Sequence, residues 1–326
     1  MAKLRLTIAG EEYDRTRALV NGTLAPEGIE LNYITAPGAP ERHARMMQRL
    51  EFDVCELSTA QYLAGKTRGL PVTAIPVFIH RVFRHSYIYI NTEAGIEKPD
   101  DLAGKVIGVR HYMNTASLWI RGMLDDDYGF DCRQATWLTD MDEDLPEWKP
   151  PAGLRVERRA TSNSLNDALV AGEVDAVLLP IVLPGILQGS PKVRRLFPNY
   201  GEVQMDYYRR TKLFPVMHTI VVKDSVLEEN PWVAGSLFKA FNQAKKLAYR
   251  SHEYEGRTML VSFSEQFRAQ REIMGSDPWA YGLEPNRHTV DKMIEYAFKQ
   301  GLIDHKPKAE ELFAAGALEP MLDYDH

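Results

Sequence analysis

The stretch Phe52-Asp-Val-Cys-Glu-Leu-Ser-Thr-Ala-Gln-Tyr-Leu-Ala-Gly-Lys66 decides the fold. Phe52–Leu57 reads as a short strand. Ser58 or Thr59, whose hydroxyl suits an N-cap, then opens a helix running to about Lys66. The same strand-then-helix phrase recurs outward in both directions. Leu4–Ala9 alternates apolar residues, Asp14–Asn21 reads as the helix after it, Ile29–Ile34 as a strand, and Glu41–Leu50 as a helix. Downstream, Ser86–Asn91, Val106–Arg110, Ala135–Leu138, Asp175–Leu179 and Phe214–Val222 read as strands, with helices at Thr115–Asp126 and Asn163–Ala171. Such alternation predicts parallel strands joined by crossover helices.

The polar stretch Thr139–Gly153 reads as an excursion loop. From Pro231 the chain is mostly helical, with apolar positions at Val233, Leu237, Phe241, Ala244 and Leu247–Ala248. Placing interlobe crossings near Arg84–Ser86 and Thr211–Phe214 predicts two lobes. Residues 1–85 and 213–326, with the C-terminal helices, form the first; residues 86–212 form an inserted second; a ligand cleft is expected between them.

Of the 326 residues 44% are hydrophobic and 26% charged, and the formal charge is −6. That composition supports one or two packed domains and disfavours nucleic acid as a partner. The segment Met1–Gly10 reads as a strand rather than an export signal, and no run reaches the ~20 apolar residues of a membrane span. A cytoplasmic protein with no membrane partner is therefore expected. Cys55 and Cys132 are expected as free, buried thiols.

In open α/β folds ligands gather beyond the carboxyl ends of strands. That rule selects Glu11, Glu12, Tyr13, Asp14 and Arg15 after the first strand and Ser58 after Phe52–Glu56. It also selects Arg110, His111, Tyr112, Asn114 and Thr115 after Val106–Val109. Thr115 is read as the cap of a helix N-terminus, which favours a carboxylate. The segment His80-Arg-Val-Phe-Arg-His85 is the densest cationic stretch. Read as strand, it sets His80 and Arg84 on one face and Arg81 and His85 on the other, with Arg81 or Arg84 as a carboxylate clamp. His218 lies near the opposite crossing, while Asp14 and Glu56 are candidates to orient a histidine or accept a phenolic proton. His43, His252, His288, His305 and His326 read as surface histidines. No HxxxH or CxxC pair is present, so no dedicated metal site is expected, although a divalent ion stays open; no nucleotide loop or GxSxG is present either.

Asp101-Leu-Ala-Gly-Lys-Val-Ile-Gly-Val109 and Ser164-Leu-Asn-Asp-Ala-Leu-Val-Ala-Gly-Glu-Val-Asp-Ala176 resemble segments of type II periplasmic-binding-protein folds. A narrower resemblance spans nearly the whole chain. Tyr13-Asp-Arg-Thr-Arg-Ala-Leu19, Ile75-Pro-Val-Phe-Ile-His-Arg81, Trp119-Ile-Arg-Gly-Met-Leu124 and Phe214-Pro-Val-Met-His-Thr219 resemble the 4,5-dihydroxyphthalate decarboxylase family. One departure is Met113, where the family tends to place an amide.

The resemblance implies a two-lobed fold and a cofactor-independent decarboxylase of a hydroxylated aromatic dicarboxylate. It implies His218 or His80 as general acid, with Asp14, Glu56 or His85 relaying the phenolic proton. Arg15, Arg81, Arg84 and Arg110 would hold carboxylates. The competing expectation is a non-catalytic solute-binding protein for a small anionic or aromatic compound. A homo-oligomer is expected.

Overall fold

The computed structural model describes residues 2–254 and 256–318, so His326 lies outside the described residues. Its strands are β1 (Leu4–Ala9), β2 (Ile29–Ile34), β3 (Val54–Ser58), β4 (Val72–Arg81), β5 (Ile88–Asn91), β6 (Val106–Val109), β7 (Thr136–Thr139), β8 (Arg155–Arg158), β9 (Ala176–Leu178), β10 (Val193–Arg195) and β11 (Val216–Lys223). They form a five-stranded sheet of order β2-β1-β3-β11-β4 and a six-stranded sheet of order β10-β5-β9-β6-β7-β8.

The chain divides into two compact units, Met1–Arg81 with His218–Val290 and Pro307–His326, and Val82–Met217 with Asp291–Lys306. The C-terminal segment is therefore shared, and does not belong wholly to the first unit as its helical composition suggests. The reason is visible in its contacts. Gln300 Oε1 accepts from Arg121 Nε at 2.7 Å, and Gly301 O accepts from Trp148 Nε1 at 2.8 Å. Two buried indole and guanidinium donors in the second unit draw the end of helix Arg287–Lys299 onto it.

In the first unit, β1 pairs parallel with β2 and β3, while β11 runs antiparallel to β3. Ile8, Ile75, Val77, Ile79, Ile220 and Val222 of this sheet pack with Val233, Leu237, Phe241 and Ala244 of helix Trp232–His252. Those helical positions recur at three- and four-residue spacing, so they share one stripe. Leu247 departs from the expected stripe and is 41% exposed.

In the second unit, β6 pairs parallel with β7 and β9, and β5 runs antiparallel to β9. Helix Thr115–Tyr128 starts directly after β6 and is almost wholly buried over its first ten residues. The expected strand through His85 stops at Arg81; His85–Tyr87 is a short 3-10 turn. No helix among the described residues is long and apolar enough to cross a membrane.

Candidate functional site

Glu56 is the centre of the arrangement in the first unit. It lies on β3 and its side chain is fully buried. Register sets His218 of β11 opposite Ser58, making Glu56 a same-face diagonal neighbour of the histidine. The two side chains meet, His218 Nδ1 lying 2.5 Å from Glu56 Oε1. A carboxylate only accepts, so Nδ1 carries the hydrogen and Nε2 is the ring end left for a ligand. The Tyr13 hydroxyl donates to the same oxygen at 2.8 Å, and the Glu11 backbone N–H donates to Oε2 at 2.8 Å.

Behind this carboxylate stands Arg42, also fully buried, with Nη2 3.4 Å from Glu56 Oε2 and Nη1 3.2 Å from Glu11 Oε1. Burial alone would raise the Glu56 pKa. The hydrogen bond from His218, the positive charges of His218 and Arg42 and the Glu11 N–H outweigh it and hold the carboxyl well below its usual range. Burial, reinforced by the Glu56 charge, pushes the Tyr13 phenol well above its usual range, so this tyrosine stays protonated and donates. Imidazole rings complete the group. His80 and His43 pack edge-on to His218, with centroids 4.8 and 4.9 Å away, and Tyr13 lies 5.8 Å from His80.

Chain geometry explains the convergence. Tyr13 follows β1, Glu56 and Ser58 end β3, and His80 ends β4. Because β11 is antiparallel to β3, its beginning, with His218, comes to the same edge of the sheet. Gly10 makes room there: a Cβ at this position would lie 2.6 Å from the Tyr33 hydroxyl and 3.4 Å from Glu56 Oε2. Gly10→Ala is therefore expected to cost about 1–3 kcal/mol and to lower activity. Denaturant titration beside a turnover assay checks this, and an unchanged midpoint would show that the tyrosine yields freely.

Arg15 extends the site. Its guanidinium is sandwiched between the rings of Tyr13 and Trp279 at 4.1 and 4.0 Å. Nε donates to the Ile79 carbonyl at 2.7 Å and Nη1 pairs with Asp14 at 3.1 Å, leaving Nη2 without a partner among the described residues. Arg15, Trp279, Phe263, Phe267 and Tyr249 line a cavity of about 180 Å³. Asp14 is half exposed and reaches His252 at 3.3 Å, so it serves a surface pair rather than the proton relay expected of it.

Other expected roles are corrected by the packing. Arg81 is buried, and its guanidinium donates to Asn286 Oδ1 and to the Ala280 carbonyl, which makes it an anchor of the first unit instead of a carboxylate clamp. Arg84, in the second unit, is buried with Nε on the Met217 sulfur at 3.0 Å, and burial lowers its pKa to about 10. His85 is enclosed by Phe197 and Tyr207; burial lowers its pKa to about 4, and neither ring nitrogen has a partner among the described residues, so it is a neutral core residue and no relay. His111 is likewise held neutral, its pKa lowered to about 4 by burial and then by Arg110. Tyr112 is core, stacked on Trp148 and bonded to the Gln300 carbonyl at 3.3 Å. Asn114, not Thr115, caps the following helix, its Oδ1 accepting from Ser117 N at 2.7 Å; Thr115 is buried.

The backbone amides after β6 already hold a carboxylate. Glu143, from the excursion loop, accepts from Tyr112 N at 2.5 Å and from Met113 N at 3.2 Å. Burial nevertheless raises its pKa to about 7. A carboxyl raised in the folded state contributes stability that is complete below its unfolded value, about 4.5, and lost as pH climbs through about 7. Glu143→Gln is thus expected to gain about 1–3 kcal/mol relative to the parent between pH 4.5 and 7.5, read by urea unfolding at stepped pH. A pH-independent difference would refute this.

Arg42 and His43 are the participants that sequence reasoning passed over; Glu11 it reached only as a residue following the first strand. The available signal was spacing: Arg42 and His43 lie four residues before the buried Met46 and Met47, hence on the buried stripe of helix Ala39–Arg49.

The first 139 residues contain a match to the NMT1/THI5-like family model, over residues 18–139. Two solved structures show the fold. The sulfonate-binding protein SsuA from Methylobacillus flagellatus KT superposes with a TM-score of 0.58 at 15% identity, covering 96% of this chain and 92% of its own. SsuA from Escherichia coli gives 0.54 at 12% identity, covering 95% and 97%. The fold is thus the α/β fold of periplasmic binding proteins. Among curated relatives, 4,5-dihydroxyphthalate decarboxylase of Pseudomonas putida is 36% identical over 64% of this chain and 83% of its own. The enzyme of that name from Comamonas testosteroni is 34% identical over 98% of this chain and 99% of its own. Over that length and identity, the chain belongs to the 4,5-dihydroxyphthalate decarboxylase family.

Proposed function

We propose that this protein is a carboxy-lyase releasing CO2 from a hydroxylated aromatic dicarboxylate of the 4,5-dihydroxyphthalate kind. The observation that carries the reading is the pairing of buried Glu56 with the partly buried His218, whose ring is turned so that Nε2 is the free end. Direct loss of CO2 would leave an aryl carbanion, which is prohibitively basic. A hydroxyl para to the departing group supplies electron density to that ring carbon once its proton is removed or shared.

His218, as imidazolium, then donates its Nε2 proton to the carbon bearing the carboxylate. The carbon–carbon bond breaks, its electron pair returns to the ring, and CO2 leaves as aromaticity is restored. One proton is consumed per turnover. Glu56 stabilises the imidazolium and fixes its orientation, which is the arrangement that makes a histidine an efficient acid. His80 stands where it can share the phenolic proton, and Arg15 Nη2 is a donor for the carboxylate that stays.

The test is incubation with 4,5-dihydroxyphthalate and its mono-hydroxylated relatives, following CO2 and product mass. In deuterated water the product is expected to carry one deuterium at the vacated ring carbon. Tight binding of such acids with no CO2 from any of them would instead support a solute-binding protein and end the enzymatic reading.

A further inference from the structure

The buried carboxylate of Glu56 stands beside the imidazoles of His218 and His80, with Arg42 behind it. One atom from each of Glu56, His80 and His218 lies within 4.8 Å of the other two.

We propose that Glu56, His80 and His218 form a binding site for a divalent transition-metal ion such as Zn2+ or Co2+. Metal–nitrogen and metal–oxygen bonds of about 2.0–2.2 Å put neighbouring donor atoms roughly 3.3 Å apart and ring centroids roughly 5 Å apart. The His80 and His218 centroids, at 4.8 Å, already have that separation. The 2.5 Å contact of His218 with Glu56 must open by less than about 1 Å, and donors that lie within 4.8 Å of one another must draw in around the ion. Tyr13 and the Glu11 amide stay on the carboxylate as the outer hydrogen bonds that hold a ligand in place. Two imidazoles with one carboxylate select zinc, cobalt, iron or manganese over magnesium or calcium, which prefer all-oxygen sites.

Three protein ligands leave positions open. Two adjacent ring oxygens of a catechol-type molecule fit those positions as a chelate; with the ion bound, His218 Nδ1 is a ligand and the imidazolium of the decarboxylase reading cannot form, so the ion and that acid role exclude one another. The sequence concealed the set because its members come from three strands, at positions 56, 80 and 218, with no short spacing to mark them.

The experiment strips the purified full-length protein with chelator, then dialyses it against micromolar Zn2+ or Co2+ and counts bound metal. About one equivalent per chain is expected, with cobalt showing the visible bands of a nitrogen- and oxygen-ligated ion. His80→Ala and His218→Ala should each weaken binding at least 10-fold, whereas His305→Ala, an exposed histidine, should not. If either alanine variant fails to fold, His80→Asn and the cobalt spectrum of the parent decide. Binding below about 0.1 equivalent, or binding unchanged in the site variants, overturns the proposal. CO2 release by protein that takes up no metal overturns the ion site and leaves the decarboxylase standing. A bound ion, with no CO2 release by the metal-free protein, does the reverse.

Discussion

Replacing His218 by Asn is expected to lower the turnover number for CO2 release by 10²–10⁴-fold while leaving the fold in place. The side chain is only partly buried, and asparagine retains one donor for Glu56 at about the position of Nδ1. What disappears is the proton on Nε2, together with the ring that presents it. The deuterium experiment sharpens the test, because residual turnover in the variant should show a pH dependence governed by solvent rather than by the lost imidazole. Near-normal turnover in both His218→Asn and His80→Asn would remove histidine acid catalysis from consideration.

The second large effect is expected at Arg42. Replacing it by Met removes a fully buried guanidinium and strands the Glu56 carboxylate, itself fully buried, with one fewer compensating charge. Breaking one partner of such a pair typically costs about 3–5 kcal/mol, a large share of the stability of a typical domain. Glu56 must then recruit a proton or weaken its hold on His218, so activity should fall with stability. Chemical denaturation measures the first effect. Activity at a temperature where the variant is still folded measures the second. A midpoint within about 0.5 kcal/mol of the parent would mean that Arg42 is not the counter-charge described here. Arg42→Lys should recover only part, since a compact ammonium does not reach Glu11, Glu56 and the Pro37 carbonyl together.

The alternation of strand and helix was legible because burial on one or both faces writes itself into local pattern. Leu4–Ala9 and Ile29–Ile34 carry it plainly, and both strands begin and end where that pattern does. Helix Tyr200–Thr211 went unread, because it has only Tyr207 buried and a weak apolar stripe to announce it. Site residues follow the same division. Tyr13 was reachable from the rule that chemistry collects at strand ends, His80 from the cationic stretch that holds it, His218 from its place near the second crossing and Glu56 as a carboxylate able to orient a histidine. Arg81 was misjudged as a clamp because its partner, Asn286, is 205 residues away, and nothing near Arg81 hints at it. His85 and His111 were selected for being histidines in a promising place, and only packing reveals that burial keeps them uncharged. His43 was set aside as a surface residue, although it is buried beside His218.

The carboxylate on β3 and the imidazole on β11 are separated by 162 residues, with most of the second unit made in between. A nascent chain therefore holds Glu56 long before its histidine exists. During that interval the guanidinium of Arg42, supplied 14 residues earlier, stands against it. At ordinary elongation rates of about 5–20 residues per second, the wait lasts roughly 10–30 s. The guanidinium is thus the early custodian of a charge that the rest of translation must reach. Emerging polypeptides halted before residue 218 can fold no more than an unfinished centre.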